Sequence, residues 1–197
     1  MDRNSDEQLV RIYLQGEINA LSILVERYLS YIYNFIVKQI GDRKEAEDLV
    51  QEVFLRAWKN LKKFDLDKNF KIWIFSIARN ACIDYLRRKK IPVFSALEKD
   101  DSQTSFEETI IDESESVAEK INQQELAGEM NKYLKQISEA NRTVLVLHYN
   151  QQLTFQEIAD LLGEPLDTVK SRHRRGLLYL KRLIVQAENS GAPKNQL

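Results

Sequence analysis

The side chains best suited to binding chemistry lie near the C-terminus, in the string TFQEIADLLGEPLDTVKSRHRRGLLYLKRLIVQ. Thr154 and Glu157 have the T-x-x-E spacing of a capping box, which starts a helix. Gly163 supplies the end of that helix, and Pro165 suits the first turn of the next one. A helix, a short turn containing glycine and a second, cationic helix are typical of a DNA-binding helix-turn-helix.

The second of these helices has two distinct sides when its residues are placed at about 100° intervals. The apolar side, which we expect to pack inward, consists of Val169, His173, Leu177, Leu180 and Ile184. The polar side, which can contact base edges or phosphates in a major groove, consists of Thr168, Ser171, Arg174, Arg175 and Arg182. Lys170 and Arg172 flank that side and are expected at phosphates. The alternative is a surface helix whose cations are only solvated.

A second candidate surface lies in GDRKEAEDLVQEVFLRAWKNL, where Ala46, Val53 and Trp58 belong to an apolar series at three- and four-residue spacing. Its other face includes Asp48, Gln51, Glu52 and Leu55. Acidic and amide groups around an exposed leucine suit protein docking. Periodicity alone favours the alternative, an ordinary solvated helix face.

A third candidate surface lies in FKIWIFSIARNACIDYLRRKK. One polar stripe of this predicted helix consists of Ser76, Asn80, Asp84, Arg87 and Arg88. Hydrogen-bonding groups mixed with cations are typical of a nucleic-acid reader. The alternative, a capped and solvated helix end, has equal weight from the residues alone.

The elements that position these surfaces are predicted to be helices throughout. The 43% hydrophobic and 30% charged composition fits a soluble globular protein, and 6 Gly and 3 Pro leave few breakers in 197 residues. Ser5 and Gln8 have capping-box spacing, and Gly16 and Gly41 divide the first helices. We expect an all-α chain of two small helical domains joined by a flexible linker, the second containing the helix-turn-helix.

Charge along the chain marks the linker. Residues 1–97 carry 17 Lys/Arg against 13 Asp/Glu, residues 98–119 carry 1 against 9, and residues 120–197 carry 11 against 8. The net charge of −1 therefore hides two mildly basic blocks around an acidic connector. This asymmetry alone is weak evidence, because a solvated loop between two ordinary domains has the same pattern.

No catalytic set competes with the binding surfaces. The chain lacks a G-x-x-x-x-G-K-[ST] loop, and His148 and His173 lack metal-ligand spacing. Cys82 is the single cysteine, so no internal disulfide forms, and its apolar helix predicts a packed thiol. We expect no catalytic residue, metal or cofactor. Without a signal-peptide pattern or a run of about 18 apolar residues, a cytoplasmic protein with no membrane insertion is predicted.

Three strings occur in a fixed order: AEDLVQEVFLRAW, then F-x-x-W-I-F-x-I-A-R-N-x-x-x-D-x-x-R, then T-F-x-E-I-A-x-x-L-G followed by T-V-K-S-R. Together they resemble the extracytoplasmic-function (ECF) group of the sigma-70 family over about residues 5–187. The resemblance implies region 2 at residues 1–92, a linker at 93–122, region 4 at 123–187 and a disordered tail at 188–197. It also implies a non-enzymatic subunit of RNA polymerase that assists promoter melting.

The resemblance further assigns roles to residues. Asp48, Gln51 and Glu52 would grip the coiled coil of the largest polymerase subunit, with Leu55 beside them. The stripe from Ser76 to Arg88 would capture the −10 element as single strand, together with a loop that offers Phe64 and Lys71. The helix after Pro165 would read the −35 element as duplex. An anti-sigma factor is a further implied partner.

Two other functions stay open from the residues. An ordinary helix-turn-helix repressor or activator would bind duplex DNA unaided, with residues 1–92 as a sensor or dimerisation domain. An RNA-binding or signalling adaptor would have RNA affinity independent of polymerase. The sigma interpretation instead expects weak promoter binding until polymerase core is added.

Overall fold

The computed structural model describes residues 4–90, 128 and 130–191, and it is helical with no strand over those residues. The N-terminal half consists of α1 (Asp6–Leu14), α2 (Asn19–Ile40), α3 (Arg43–Asn60), a single 3-10 turn (Leu61–Lys63) and α4 (Phe70–Lys90). The C-terminal half consists of α5 (130–136), α6 (Glu139–Tyr149), α7 (Phe155–Leu162) and α8 (Leu166–Gly191). The predicted all-α fold class is confirmed. The predicted linker at 93–122 lies outside the described residues.

Local sequence signals set several helix ends as predicted. Ser5 and Gln8 form a complete capping box at α1, in which each side chain bonds the other residue's backbone N–H. Gly41 ends α2 in the left-handed region at φ 75°, where a side chain would be strained. By contrast, α8 continues to Gly191, beyond the predicted start of a disordered tail at 188. No glycine or proline occurs between Gly176 and Gly191, so the sequence contains no helix-breaking residue at position 188.

The core of the N-terminal half is built on α2, which packs against α1, α3 and α4. Ile32, Phe35 and Ile36 are fully buried along one side of this helix. The Phe35 ring meets Phe75 of α4 edge-on, with centroids 5.5 Å apart. This packing fixes α3 and α4 side by side, so that their outer faces form one surface of the molecule.

The two halves also pack against each other, with α4 against α7 and α2 against α6. Buried residues of both halves belong to one continuous apolar core, from Phe75 to Val144 and Ile158. Between the described residues of the two halves, two side-chain hydrogen bonds are formed. Lys71 Nζ donates to the Gln151 carbonyl at 2.6 Å, and Thr143 Oγ1 donates to Gln39 Oε1 at 3.1 Å.

Candidate nucleic-acid and docking surfaces

The helix-turn-helix is formed by α7, the turn at Gly163 and α8. Thr154 and Glu157 make the predicted capping box, with the Thr154 N–H donating to Glu157 Oε2 at 2.8 Å. Gly163 ends α7 in the left-handed region at φ 65°, and the Thr168 N–H donates to the Pro165 carbonyl in the first turn of α8. These local bonds fix the angle at which α8 leaves α7, so its outer face has a defined direction.

That outer face, here called the recognition face, carries the predicted cations. The exposed members are Lys170, Ser171, Arg174, Arg175 and Arg182, and Thr168 is half-buried. Arg172 differs from them, because its Nη1 lies 2.6 Å from Glu164 Oε2 in the turn. An arginine held by a carboxylate is less available to a phosphate than a free one. The structure therefore brings together six of the seven predicted residues and holds the seventh to the turn.

Four aromatic rings hold α8 against α6 and α7. His148 stacks on Phe155 with centroids 4.5 Å apart, and His173 meets Phe155 at 4.9 Å and His148 at 5.2 Å. His148 Nδ1 donates to the Leu153 carbonyl at 2.8 Å, while Tyr149 Oη and His173 Nε2 lie 3.1 Å apart. Burial, with the nearby His148, lowers the pKa of His173. The predicted inward packing of His173 is confirmed.

Gly176 allows α8 to approach α6 closely. A Cβ at this position would lie 2.9 Å from Leu145 Cδ1, closer than carbon atoms can pack. Leu180 continues the contact with Leu134, Ile137 and Leu145. Leu177, predicted to pack inward, is instead 36% exposed.

The docking face lies on α3 and consists of Asp48, Gln51, Glu52 and Leu55. Asp48, Gln51 and Leu55 are exposed, and Leu55 keeps 51% of its surface. Glu52 is half-buried and pairs with Arg56 one turn later. The four predicted residues therefore do share one accessible face.

Trp58 adds to this surface and was missed by periodicity, which placed it in the core. It is 51% exposed, and its Nε1 donates to Tyr13 Oη of α1. Beside it, a cavity of about 390 Å³ opens between α2 and α3, with Leu21, Phe54 and Leu55 in its lining. Exposed tryptophan and leucine next to an apolar cavity are typical of a protein-binding surface.

The face predicted to bind single-stranded DNA, here called the strand face, lies on α4. It consists of Ser76, Asn80, Asp84, Arg87 and Arg88. Asn80, Arg87 and Arg88 are exposed, while the Ser76 hydroxyl donates to the Trp73 carbonyl at 2.7 Å. Asp84 accepts from Arg87 at 3.3 Å and from Arg56 of α3 at 3.4 Å. A chain of ion pairs therefore joins Glu52 of the docking face to the strand face.

Two residues predicted for −10 binding lie elsewhere. Phe64 is only 7% exposed and packs on Phe70 and Trp73, with centroids 5.6 and 5.0 Å away. Phe64 thus packs the loop before α4 onto the first turn of that helix. Lys71 points to the C-terminal half and bonds Gln151. Neither side chain joins the strand face in this structure.

Comparison with known proteins agrees with this architecture. The Sigma-70 region 2 family model matches residues 24–91, and the Sigma-70, region 4 model matches residues 133–182. The chain is 31% identical over 174 residues to the ECF RNA polymerase sigma factor SigW of Bacillus subtilis (strain 168). That match covers 85% of this chain and 90% of SigW.

Two solved structures share the fold. CnrH in complex with the cytosolic domain of CnrY has a TM-score of 0.67 at 22% identity, and the match covers 93% of this chain and 99% of that one. The sigma factor RpoE in complex with the anti-sigma factor NepR, from Bartonella quintana, has a TM-score of 0.65 at 23% identity, with 85% and 98% covered.

The chain belongs to the ECF sigma factors of the sigma-70 family, as its three sequence strings predicted. These proteins are transcription initiation factors that associate with RNA polymerase, and their regions 2 and 4 bind the −10 and −35 promoter elements. Over residues 4–90, 128 and 130–191, no helix is long and apolar enough to cross a membrane.

Proposed function

We propose that this chain directs RNA polymerase to promoters through three surfaces with separate tasks: the docking face, the recognition face and the strand face. The observation that carries the proposal is the exposed cationic side of α8, held by a capped and glycine-ended turn, in a chain with both sigma regions in order. The mechanism is binding, without covalent chemistry, in the bacterial cytoplasm where polymerase works.

Core association would use the docking face. Asp48 and Gln51 offer acceptors to a cationic or amide-bearing helix, and Leu55 with Trp58 offers about half-exposed apolar surface at its centre. Polar groups around aromatic and aliphatic anchors are the arrangement of energetically important interface residues. The partner helix proposed for this face is the coiled coil of the largest polymerase subunit.

Duplex readout at the −35 element would use the recognition face. Arg174 and Arg175 are exposed and can reach base edges or phosphates, and Lys170 and Arg182 extend the positive surface along α8. Arg172 has a different proposed role, because its bond to Glu164 stabilises the turn that aims α8.

Strand capture at the −10 element would use the strand face. An extruded base loses a few kcal/mol of stacking and pairing, which the site must return through polar and phosphate contacts. Asn80 supplies an amide at the surface, and Arg87 and Arg88 supply cations. Phe64 is left out of the proposed site because it is buried.

An anti-sigma factor is a proposed regulator. Both solved structures of similar fold are complexes, one of them with a protein named as an anti-sigma factor. The apolar cavity beside Leu55 and Trp58 lies next to the proposed polymerase surface, so a protein bound there would compete with polymerase.

A gel shift on a promoter library, with and without polymerase core, tests the proposal. We expect weak binding by the chain alone and sequence-selective binding once core is present. The competing function, a repressor or activator that acts alone, expects tight selective binding without core. Tight unaided binding together with no core association would overturn the sigma mechanism.

A further inference from the structure

We infer that Glu164 weakens sequence-independent binding of α8 to DNA, by holding Arg172 away from the phosphate backbone. The inference rests on the proposed function of the recognition face and deepens it, because it names a residue outside that face that sets its affinity. Glu164 lies in the turn between α7 and α8, two residues before α8 begins. Its effect on DNA binding is exerted through Arg172.

The contact between Arg172 and Glu164 involves both carboxylate oxygens. Arg172 Nη1 lies 2.8 Å from Glu164 Oε1 and 2.6 Å from Oε2. Each of these two side chains keeps only 23% of its surface, whereas in an ion pair on α4 Arg87 keeps 74% and Asp84 keeps 38%. Water and salt screen a half-buried pair less than an exposed one. Arg172 is therefore held more firmly than an arginine in an exposed pair.

The guanidinium group of Arg172 lies at the leading end of α8. Side chains of a helix lean toward its N-terminus. The Arg172 side chain, which starts in the second turn of α8, reaches back to Glu164 before the helix start. The N-terminal residues of a recognition helix are those that enter the major groove. An arginine without a partner at this end would bind phosphate whatever the base sequence, because phosphate contacts carry no sequence information.

The charges along α8 are distributed in a way that fits this role. Residues 164–172 have a formal charge of zero, because two acids balance two cations: Glu164, Asp167, Lys170 and Arg172. Residues 173–182 contain four cations and no acid. Asp167 is exposed in the first turn of α8, so it repels phosphate at the leading end. Removal of the Glu164 charge would give this end a net positive charge and a released arginine.

Release of Arg172 has a measurable signature in the salt dependence of DNA binding. Each phosphate that a protein neutralises on duplex DNA makes the slope of log K against log salt steeper by about 0.9. One added contact therefore enlarges the loss of affinity between about 50 and 200 mM salt by about three- to fourfold. The slope thus distinguishes a new phosphate contact from a change in affinity of another origin.

The experiment measures binding of the full chain, without polymerase, to a short fluorescein-labelled duplex of random sequence, by anisotropy over that salt range. Glu164→Gln removes the charge and keeps the size of the side chain. We expect this variant to bind the duplex about tenfold more tightly at the lowest salt, with a slope steeper by about 0.9. Glu164→Ala removes the whole carboxylate group and should change the slope by the same amount.

Two controls separate release of Arg172 from a general change in charge. Asp160→Asn removes one exposed carboxylate from α7 and so makes the same change in net charge, but Asp160 accepts a bond from Gln156 and not from an arginine. The slope for Asp160→Asn should stay close to that of the wild type. In an Arg172→Met background, Glu164→Gln should no longer steepen the slope, because the cation that it releases is absent. Circular dichroism of every variant excludes loss of helix as the cause.

Three results would overturn the inference. One is an equal slope for the wild type, Glu164→Gln and Glu164→Ala, or no binding by any of them at the lowest salt. Another is a steeper slope for Glu164→Gln in the Arg172→Met background as well. The third is a shallower slope for Arg172→Met alone than for the wild type, which would mean that Arg172 already binds phosphate beside Glu164. The gel shift with core decides the proposed function separately, because it can fail while Glu164→Gln still steepens the slope.

Discussion

Reversal of the charge at Asp48 is the most direct test of the docking face. Asp48 is exposed on α3 and makes no hydrogen bond or ion pair to another described residue. Glu52, its neighbour one turn later, is less suitable because it is engaged by Arg56. Asp48→Lys therefore changes the charge that the docking face presents to a partner, without removing a contact to another described residue.

The expected effect follows from Coulomb's law. Opposite charges about 4 Å apart at a solvated interface attract by about 1 kcal/mol, and a reversed charge repels by the same amount. The total change is about 2 kcal/mol, or about a thirtyfold increase in the Kd for core. A surface substitution of this kind should change the free energy of unfolding by no more than about 0.5 kcal/mol. Asp48→Lys is therefore expected to raise the Kd for core while leaving the free energy of unfolding nearly unchanged.

Titration of polymerase core into fluorescently labelled protein, followed by anisotropy, measures this Kd. Glu26→Lys is the matched control, since Glu26 is an exposed acid on α2 and its reversal gives the same net charge. Asp48→Lys should weaken binding at low salt and lose part of that effect at high salt, because salt screens exposed charges. Equal Kd values for the wild type, Asp48→Lys and Glu26→Lys at low salt would refute the docking assignment.

Three other outcomes are expected in the C-terminal half. Arg174→Ala should weaken binding of holoenzyme to −35 duplex by about 1–3 kcal/mol and relax base preference, measured by competition between duplexes; a uniform loss over all sequences would make Arg174 a phosphate contact. Thr154→Ala should lower the free energy of unfolding by about 1 kcal/mol in urea titration, because it removes the cap of α7. The lowered pKa of His173 means that the unfolded chain binds more protons below about pH 6.5, so stability should fall as pH falls through that value. His173→Phe should reduce this pH dependence in urea titrations, and an unchanged dependence would assign it to carboxylates.

The parts of the fold that could be predicted from the sequence are those determined by short-range interactions. The capping boxes at Ser5 and Thr154 and the helix stop at Gly163 depend on residues three or four positions apart, so their spacing was sufficient. The exposed cations of α8 followed from helical periodicity in the same way. The docking face on α3 needed the family resemblance as well, because periodicity cannot distinguish a docking face from a solvated one.

The side-chain positions that could not be predicted depend on long-range packing. Phe64 lies in a loop, where no period indicates direction, and its burial depends on Phe70 and Trp73. Trp58 falls on the apolar side of α3 but lies at the edge of the core, where Tyr13 of α1 gives its ring nitrogen a partner. The direction of the Lys71 side chain depends on its bond to Gln151 in the C-terminal half. The residue pattern within 1–92 carries no information about that contact.

The ion pairs from Glu52 through Arg56 and Asp84 to Arg87 set a limit on how docking can influence the strand face. Each pair is at least about one-third exposed, and exposed pairs of this kind contribute about 0–1 kcal/mol. Polymerase bound at Glu52 could therefore change the availability of Asp84 and Arg87 by only a few fold through this route.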